Sequence, residues 1–348
     1  MLIYKDMTLN PLRYPHESLP QLGDWIEIAD GIFWLSFPLP FALNHVHVWI
    51  LKDGPGWFVI DSGIGGEQMH SLWQKIIADK LGGRPITRLL LTHFHPDHMG
   101  SAGFLHQQLQ PELLMNATEW QHARRMALEP PNYTKLKSHY HTMGMPADLT
   151  DRLTDGSKRY SKSVDIPPET FTPLKQGDLL TINGDIWKII TGGGHSPEQV
   201  TLYCAAREIY ISADQILPKI SPNVSTWASD PTHDALGDYL NSMPLLDSIS
   251  DNSLVLPSHN RPFYGLKERI EQLKAHHTER LEQIVDLVTA SPLTVYDITR
   301  HSFDRPLDDK QMSFAVGEIL AHCNHLIDSR TINKEIDTGG IWQLRRAG

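Results

Sequence analysis

Thr92-His93-Phe94-His95-Pro96-Asp97-His98 follows directly on the apolar run Leu89-Leu90-Leu91. Three imidazoles and a carboxylate in so short a span are far more than packing requires. Neutral imidazole is the commonest protein ligand for zinc, and carboxylate oxygen its usual companion. An apolar run ending in such groups reads as a buried strand that delivers them to a loop at a sheet edge. Alternate residues of an extended segment point the same way, so His93 and His95 can share one ion. Pro96 redirects the chain, and Asp97 and His98 beyond it suit a second ion. Each ion then needs at least one more ligand. Three positions offer one, each in a loop after a strand-like run: His195 after 187–190 and Gly192-Gly193-Gly194, Asp214 after 209–213, and His259 after 253–258.

With the six-residue cluster, a Gly-His, an Asp after a strand and a later Pro-Ser-His in that order, the chain resembles the metallo-β-lactamase superfamily. The resemblance implies an α+β fold, an αββα sandwich of two sheets packed face to face with helices outside. It also implies roles. His93, His95 and His195 would bind a first metal, Asp97, His98 and His259 a second, and Asp214 would bridge the two. Asp61, at the end of Phe58-Val59-Ile60-Asp61, matches the family's early strand-end aspartate and would orient a ligand histidine by accepting its free ring N–H. One position departs from the pattern: Ser196-Pro197-Glu198 stands where many members have glycine after the proline.

Outward from the motif, strands are expected at 32–35, 46–51 and 57–60, with a turn at Asp53-Gly54-Pro55-Gly56. Helices are expected over 68–80 and 101–110. Residues 1–30, rich in proline, read as an irregular lead-in. Residues 116–170 read as a helical insertion capping the mouth of the site, helical at 120–128 and again from Met145-Pro146 to Arg152. Residues 116–165 carry 8 basic and 6 acidic side chains, a surplus of 2 in a chain of formal charge −10. Lys135, Lys137, His139, Tyr140 and His141 are its candidate substrate-binding residues, suited to an anionic group.

The catalytic domain is expected to span 1–265, and 266–348 to form a second one. There a long helix over 266–290 is followed by helices at 294–300 and 310–329 and by a hairpin around Gly339-Gly340. Helices followed by a two-stranded wing resemble the winged-helix tail of one branch of the superfamily. The segment holds 11 basic against 13 acidic residues, a balance of −2. A duplex-binding wing should be clearly basic, so the tail reads as a packing or dimerisation module, with a homodimer left open. His276-His277 and His322-Cys323-Asn324-His325 read as helix-face residues rather than ligands.

No apolar stretch approaches the ~18 residues that span a bilayer. The start, Met1-Leu2-Ile3-Tyr4-Lys5-Asp6, lacks the basic and apolar regions of a signal peptide. Cys204 and Cys323 are the only cysteines, too few for a disulfide framework. A cytoplasmic protein without a membrane partner is therefore expected.

The chemistry implied is that of a dinuclear metal-dependent hydrolase. A metal-bound hydroxide would attack a carbonyl carbon, with Asp97 or Asp214 moving the proton to the leaving group. Zinc is taken first, while iron and manganese accept the same nitrogen and oxygen donors. The ligand set resembles that of glyoxalase II and related thioesterases, which implies a thioester or ester on an anionic acyl carrier. True β-lactamases of the superfamily lack the bridging aspartate, and the persulfide dioxygenases use a reduced ligand set around one iron. Two alternatives remain: a phosphodiesterase or ribonuclease, which needs a basic track, and a non-catalytic metal-binding regulator, which an intact ligand set opposes.

Overall fold

Leu89, Leu90 and Leu91 explain the architecture. Leu89 and Leu91 pack into one apolar cluster and Leu90 into another, on opposite faces of the same strand. A strand apolar on both faces belongs in the middle of a layered structure. The computed structural model describes residues 12–40, 43–156, 160–303 and 305–348, so the amino-terminal hexapeptide discussed above lies outside the described residues.

The first sheet runs β1 (Trp25–Ala29), β2 (Ile32–Pro38), β3 (His45–Asp53), β4 (Gly56–Ile60), β5 (Ile86–Leu91), β6 (Glu112–Asn116) and β7 (Thr172–Leu174), in spatial order. The second has the order β12-β11-β10-β9-β8, formed from β8 (Leu179–Ile182), β9 (Asp185–Gly192), β10 (Gln199–Cys204), β11 (Ile209–Ala213) and β12 (Leu254–Pro257). Ile32, Trp34, Trp49, Phe58 and Leu90 from the first meet Trp187, Ile189, Leu202, Ile211 and Leu256 from the second in a shared core. Outside the first sheet lie α1 (Glu67–Asp79), α2 (Pro96–Met99), α3 (Ala102–Leu109) and α4 (Ala117–Leu128). Trp73, Ile76, Leu105 and Ala123 of these helices pack on Phe33, Leu35, Val59 and Leu89. Next along the chain come α5 (Tyr133–Thr142), α6 (Ala147–Gly156) and α7 (Tyr160–Ser163). Outside the second sheet lie α8 (Ala235–Ser242) and α9 (Leu266–Ala290), with Leu236, Tyr239, Leu266 and Ile270 against Ile190, Tyr210 and Val255. This is the αββα sandwich expected from the sequence.

The lead-in through residue 30 is corrected. Trp25–Ala29 is a strand, antiparallel to β2 across a turn that holds Gly31 at φ 71°. Its alternation is short but real: Trp25 packs on the outer core and Ile26 and Ile28 on the inner one.

The insertion divides between two cores. α4 covers the first sheet, whereas Tyr140, Met143, Met145, Leu149 and Leu153 of the α5–α6 region join a separate cluster. Its other members come from α9, α10 (Val295–Ser302), α11 (Asp309–Asp328) and the hairpin β13 (Ile332–Ile336)–β14 (Trp342–Arg346). Capping boxes at Thr294 and Asp308 start α10 and α11, each satisfying two backbone donors reciprocally. No helix of the described residues is long and apolar enough to cross a membrane.

His277 and His322 meet in the interior where α9 and α11 pack, with Nδ1 of His277 3.1 Å from Nε2 of His322. His322 Nδ1–H donates to the Glu318 carbonyl at 2.8 Å. Burial pushes the His322 imidazole down to about 3, and Arg280 and His276 press the same way. Below the unfolded value of about 6.5, the unfolded chain takes up a proton that the folded chain refuses until about 3. Stability from this group is therefore complete above pH ~6.5 and lost as pH falls through that window. In His322→Gln the slope of unfolding free energy against pH should be shallower by up to about 1.4 kcal/mol per pH unit. Equal slopes in denaturant melts of the two proteins would refute this.

Candidate metal centre

β4 and β5 are parallel, and β9, β11 and β12 share one direction through their common pairing partners. Their carboxyl ends therefore lie along one rim of the sandwich, and each end carries one of the residues singled out above. Asp61 follows β4, His93 to His98 follow β5, His195 follows β9, Asp214 follows β11 and His259 follows β12. The triple glycine before His195 permits close approach. A Cβ at Gly192 would fall 2.4 Å from the Gln215 side chain, and one at Gly194 2.4 Å from Cβ of Tyr239 on α8. Three residues at this rim occupy the left-handed region despite having side chains: Asp61 (φ 65°), Ala213 (φ 46°) and Asn260 (φ 65°). Such backbone costs of order 1–3 kcal/mol each and gathers where surrounding structure enforces a site.

The structure brings all seven candidate ligands together. Among them are three groups whose donor atoms lie within 4.8 Å of one another: His93, His95 and His195; His93, His98 and Asp214; and Asp97, His98 and His259. In the first group Nε2 of His93 is 2.9 Å from Nδ1 of His95 and 3.2 Å from Nε2 of His195, and the last two atoms are 2.9 Å apart. A proton links only two such nitrogens; a cation satisfies all three. Tetrahedral zinc, with Zn–N bonds of about 2.0–2.1 Å, holds its nitrogens about 3.3–3.4 Å apart, close to this spacing. Oδ2 of Asp214 lies 3.4 Å from Nε2 of His98, 3.4 Å from Nε2 of His195 and 3.3 Å from Nε2 of His259. Asp97 Oδ2 is 3.5 Å from His259 Nε2 and 3.7 Å from His98 Nε2. His98 Nε2 and Asp214 Oδ1 are buried and lack a hydrogen-bond partner among the described residues. Buried polar atoms left so are costly unless something coordinates them. The residues present therefore fit divalent ions, and the donor set of imidazole and carboxylate suits zinc, iron or manganese.

Electrostatics agree. Burial, reinforced by neighbouring imidazoles, holds His93 and His95 far below the usual histidine range, in the neutral form that ligates. Burial opposes a charge on His98 and His259, yet Asp214 and Asp97 outweigh it and raise both. The carboxylates demand positive charge here, which a divalent ion supplies more fully than protons.

The outer ring atoms are held as firmly as the inner ones. Asp61 Oδ2 accepts from Nδ1–H of His98 at 2.8 Å, and Asp61 also accepts from the Thr92 amide (2.8 Å) and hydroxyl (2.9 Å). His195 donates from Nδ1 to the Asn223 carbonyl at 2.9 Å, and His259 from Nδ1 to the His45 carbonyl at 2.7 Å. Each bond fixes a tautomer that turns Nε2 inward. The sequence did not reveal His45 or Asn223, because their backbone oxygens do the work and any side chain supplies one. Glu119 on α4 was also missed. Its fully buried carboxylate accepts the Phe94 amide (3.0 Å) on Oε2 and the Glu198 amide (2.7 Å) on Oε1, tying together the two loops that carry His93, His95 and His195. Burial raises this carboxyl to about 7, against the pull of the Glu198 N–H.

None of the five candidate substrate residues is a member of these groups. Lys137 is paired with Asp151 at 2.6 Å, Tyr140 is buried in the cluster with the carboxyl-terminal helices, and His141 Nε2 meets the Gly339 carbonyl at 2.9 Å. Lys135 and His139 line a cleft between α5, the 228–231 segment and β14. Cys204 and Cys323 are buried and free.

Residues 42–287 match the metallo-beta-lactamase superfamily. The chain belongs to that superfamily. Residues 281–347 match a second family described as metallo-beta-lactamase-like, C-terminal domain. A crystal structure of a beta-lactamase domain protein from Burkholderia ambifaria is 36% identical, covers 97% of both chains and superposes with a TM-score of 0.89. Among curated relatives of this superfamily member, a probable metallo-hydrolase of Bacillus subtilis is 21% identical over 315 residues, 86% of this chain and 92% of that one. An acyl-coenzyme A thioesterase of Bos taurus is 23% identical over 278 residues, 77% of this chain and 88% of its own length.

Asp61→Ala leaves a buried ring N–H unpaired, and Glu119→Gln turns an amide NH2 toward one of two backbone N–H groups. Each should weaken divalent-ion binding by about 10–100-fold in a chelator competition. Affinity unchanged in both variants would show that these partners do not orient the ligands.

Proposed function

We propose that the protein is a dinuclear metal-dependent hydrolase that cleaves thioesters carried on an anionic thiol. The observation that carries this reading is the position of Asp214 Oδ2, 3.3–3.4 Å from an inner nitrogen of His98, of His195 and of His259. Those histidines belong to different candidate ligand groups, so this one carboxylate oxygen would be within reach of an ion held by either group. His93, His95 and His195 would hold the first ion and Asp97, His98 and His259 the second. Divalent ions bound there supply Lewis acidity, which acidifies water and polarises a carbonyl oxygen.

The protein groups then have distinct tasks. Asp61, Asn223 and His45 keep the imidazoles aimed inward. Asp214, largely buried, stays ionised because His259 and His98 outweigh the cost of its burial. Asp97, with a fifth of its side chain exposed, is the better proton carrier of the two carboxylates. It takes the proton of the attacking water and delivers it to the departing sulfur. The C–O bond forms as the C–S bond breaks, giving a carboxylic acid and a free thiol. The acyl-coenzyme A thioesterase relative supports a thioester over a phosphodiester, as do the −2 balance of residues 266–348 and the chain's −10. We read that carboxyl-terminal segment as a winged-helix-like packing module: α11 buries every residue from Ile319 to Asn324, more than a full turn, which leaves that stretch no free face with which to read DNA.

Zinc-loaded protein should release free thiol from acyl-coenzyme A, detected with a thiol-reactive dye, lose that activity on chelation and regain it with added zinc. Elemental analysis should find two ions per chain, falling to one or none in Asp214→Ala. Inactivity on acyl-coenzyme A and acyl-glutathione alike, beside turnover of a phosphodiester, would overturn the thioester reading.

A further inference from the structure

The cleft between α5, the 228–231 segment and β14 has a volume of about 650 Å³. Its lining includes Asn132, Thr134, Lys135, Ser138, His139 and Trp342, and none of the lining residues is acidic. The ammonium of Lys135 gives one N–H to the Ser229 carbonyl at 3.0 Å, which leaves two donors for a ligand. Asn132 caps α5 by accepting the Lys135 amide at 2.9 Å, so the positive end of a ten-residue helix adjoins the ammonium. His139 is only 8% exposed and forms part of the wall, and its Nδ1 has no hydrogen-bond partner among the described residues. Burial and the Lys135 charge hold this imidazole at about 4, so at neutral pH it is uncharged with one N–H to donate. A cation, a helix amino terminus, a buried imidazole and hydroxyls around a space without carboxylates together suit a phosphate group.

The cleft is tied to the metal centre by a short length of chain. Asn223 receives the Nδ1–H of His195, and Ala228, on the cleft wall, is five residues further on. Five residues span at most about 17 Å. A long thiol carrier can therefore place its reactive end at the metal ligands and its charged end in the cleft. We propose that this cleft binds the phosphate of the thiol carrier's pantetheine arm, with Lys135 as the principal contact. This rests on the thioester reading above. The phosphate can come from coenzyme A or from a phosphopantetheine group on a carrier protein.

The test compares kcat/KM for acyl-coenzyme A, acyl-4′-phosphopantetheine and acyl-pantetheine, which lacks phosphate, in the wild type and in Lys135→Ala. The ratio of either phosphorylated substrate to acyl-pantetheine should fall by about 10–100-fold in the variant, mainly through KM. A fall for both substrates assigns the arm's own phosphate; a fall for acyl-coenzyme A alone moves the contact to the nucleotide phosphates and overturns the assignment to the arm. Ratios unchanged within about twofold overturn the cleft, while hydrolysis of the same thioesters leaves the thioesterase reading intact. Calorimetric titration of free coenzyme A separates the two ideas further. Binding weakened about tenfold by Lys135→Ala without turnover of any thioester would retain the cleft and reject the hydrolysis reading.

Discussion

The arrangement depends on holding atoms of like polarity face to face in a buried place. Three imidazole nitrogens within 3.2 Å of one another, beside two carboxylates, form a cluster that water-free protein cannot satisfy by itself. Ordinary packing avoids such a cluster, since an unpaired buried acceptor loses its hydration without recompense. It persists only if the framework is rigid enough to prevent collapse and if cations make the convergence favourable. Both sheets supply that framework. The amide of His47 on β3 donates to the Ser258 carbonyl at 2.7 Å, and the Val200 amide on β10 to the Thr92 carbonyl at 2.8 Å, so the rims of the two layers are joined on either side of the ligands.

The seven candidate ligands that the structure gathers were legible in the sequence because metal chemistry narrows residue type and loop position together. His93, His95, Asp97 and His98 announced themselves by density, and His195, Asp214 and His259 by standing one per loop after strand-like runs. The supports were legible only in part. Asp61 could be expected from the family resemblance, but Glu119 could not. It sits in an amphipathic helix among Trp120, His122 and Arg124, and nothing in a linear pattern distinguishes a carboxylate aimed at two loop amides from one aimed at solvent. Asn223 and His45 act through main-chain oxygens, which leave no mark on residue choice at all. Edge strand β1 was obscured for another reason: five residues that alternate beside proline-rich text carry too little period to read.

The 116–170 region shows how tertiary packing overrides a compact reading of sequence. α4 belongs to the outer layer of the first sheet and carries Glu119 to the ligand loops. α5 and α6 instead bury Tyr140, Met143, Met145, Leu149 and Leu153 with the carboxyl-terminal helices and hairpin. Gly144 marks the join. It holds φ 80°, and a Cβ there would stand 2.7 Å from Thr294, the capping residue of α10. Pairing the two pieces removes the apolar surfaces of both from water.

That shared core gives the carboxyl-terminal segment a function that does not require it to touch nucleic acid. By fixing α5, it fixes the position of Lys135 and His139 relative to the 228–231 segment. The Thr226 amide donates to the Gly317 carbonyl on α11 at 3.1 Å, and Asn324 on α11 donates to the Pro231 and His233 carbonyls at 3.1 and 3.0 Å. The loop that begins at the His195 partner Asn223 is thus fastened along α11 before it enters α8. A helix used in this way has part of its surface committed to the 226–233 segment. The geometry of the cleft then follows from the same packing that orients His195, and a disturbance of α11 would reach both.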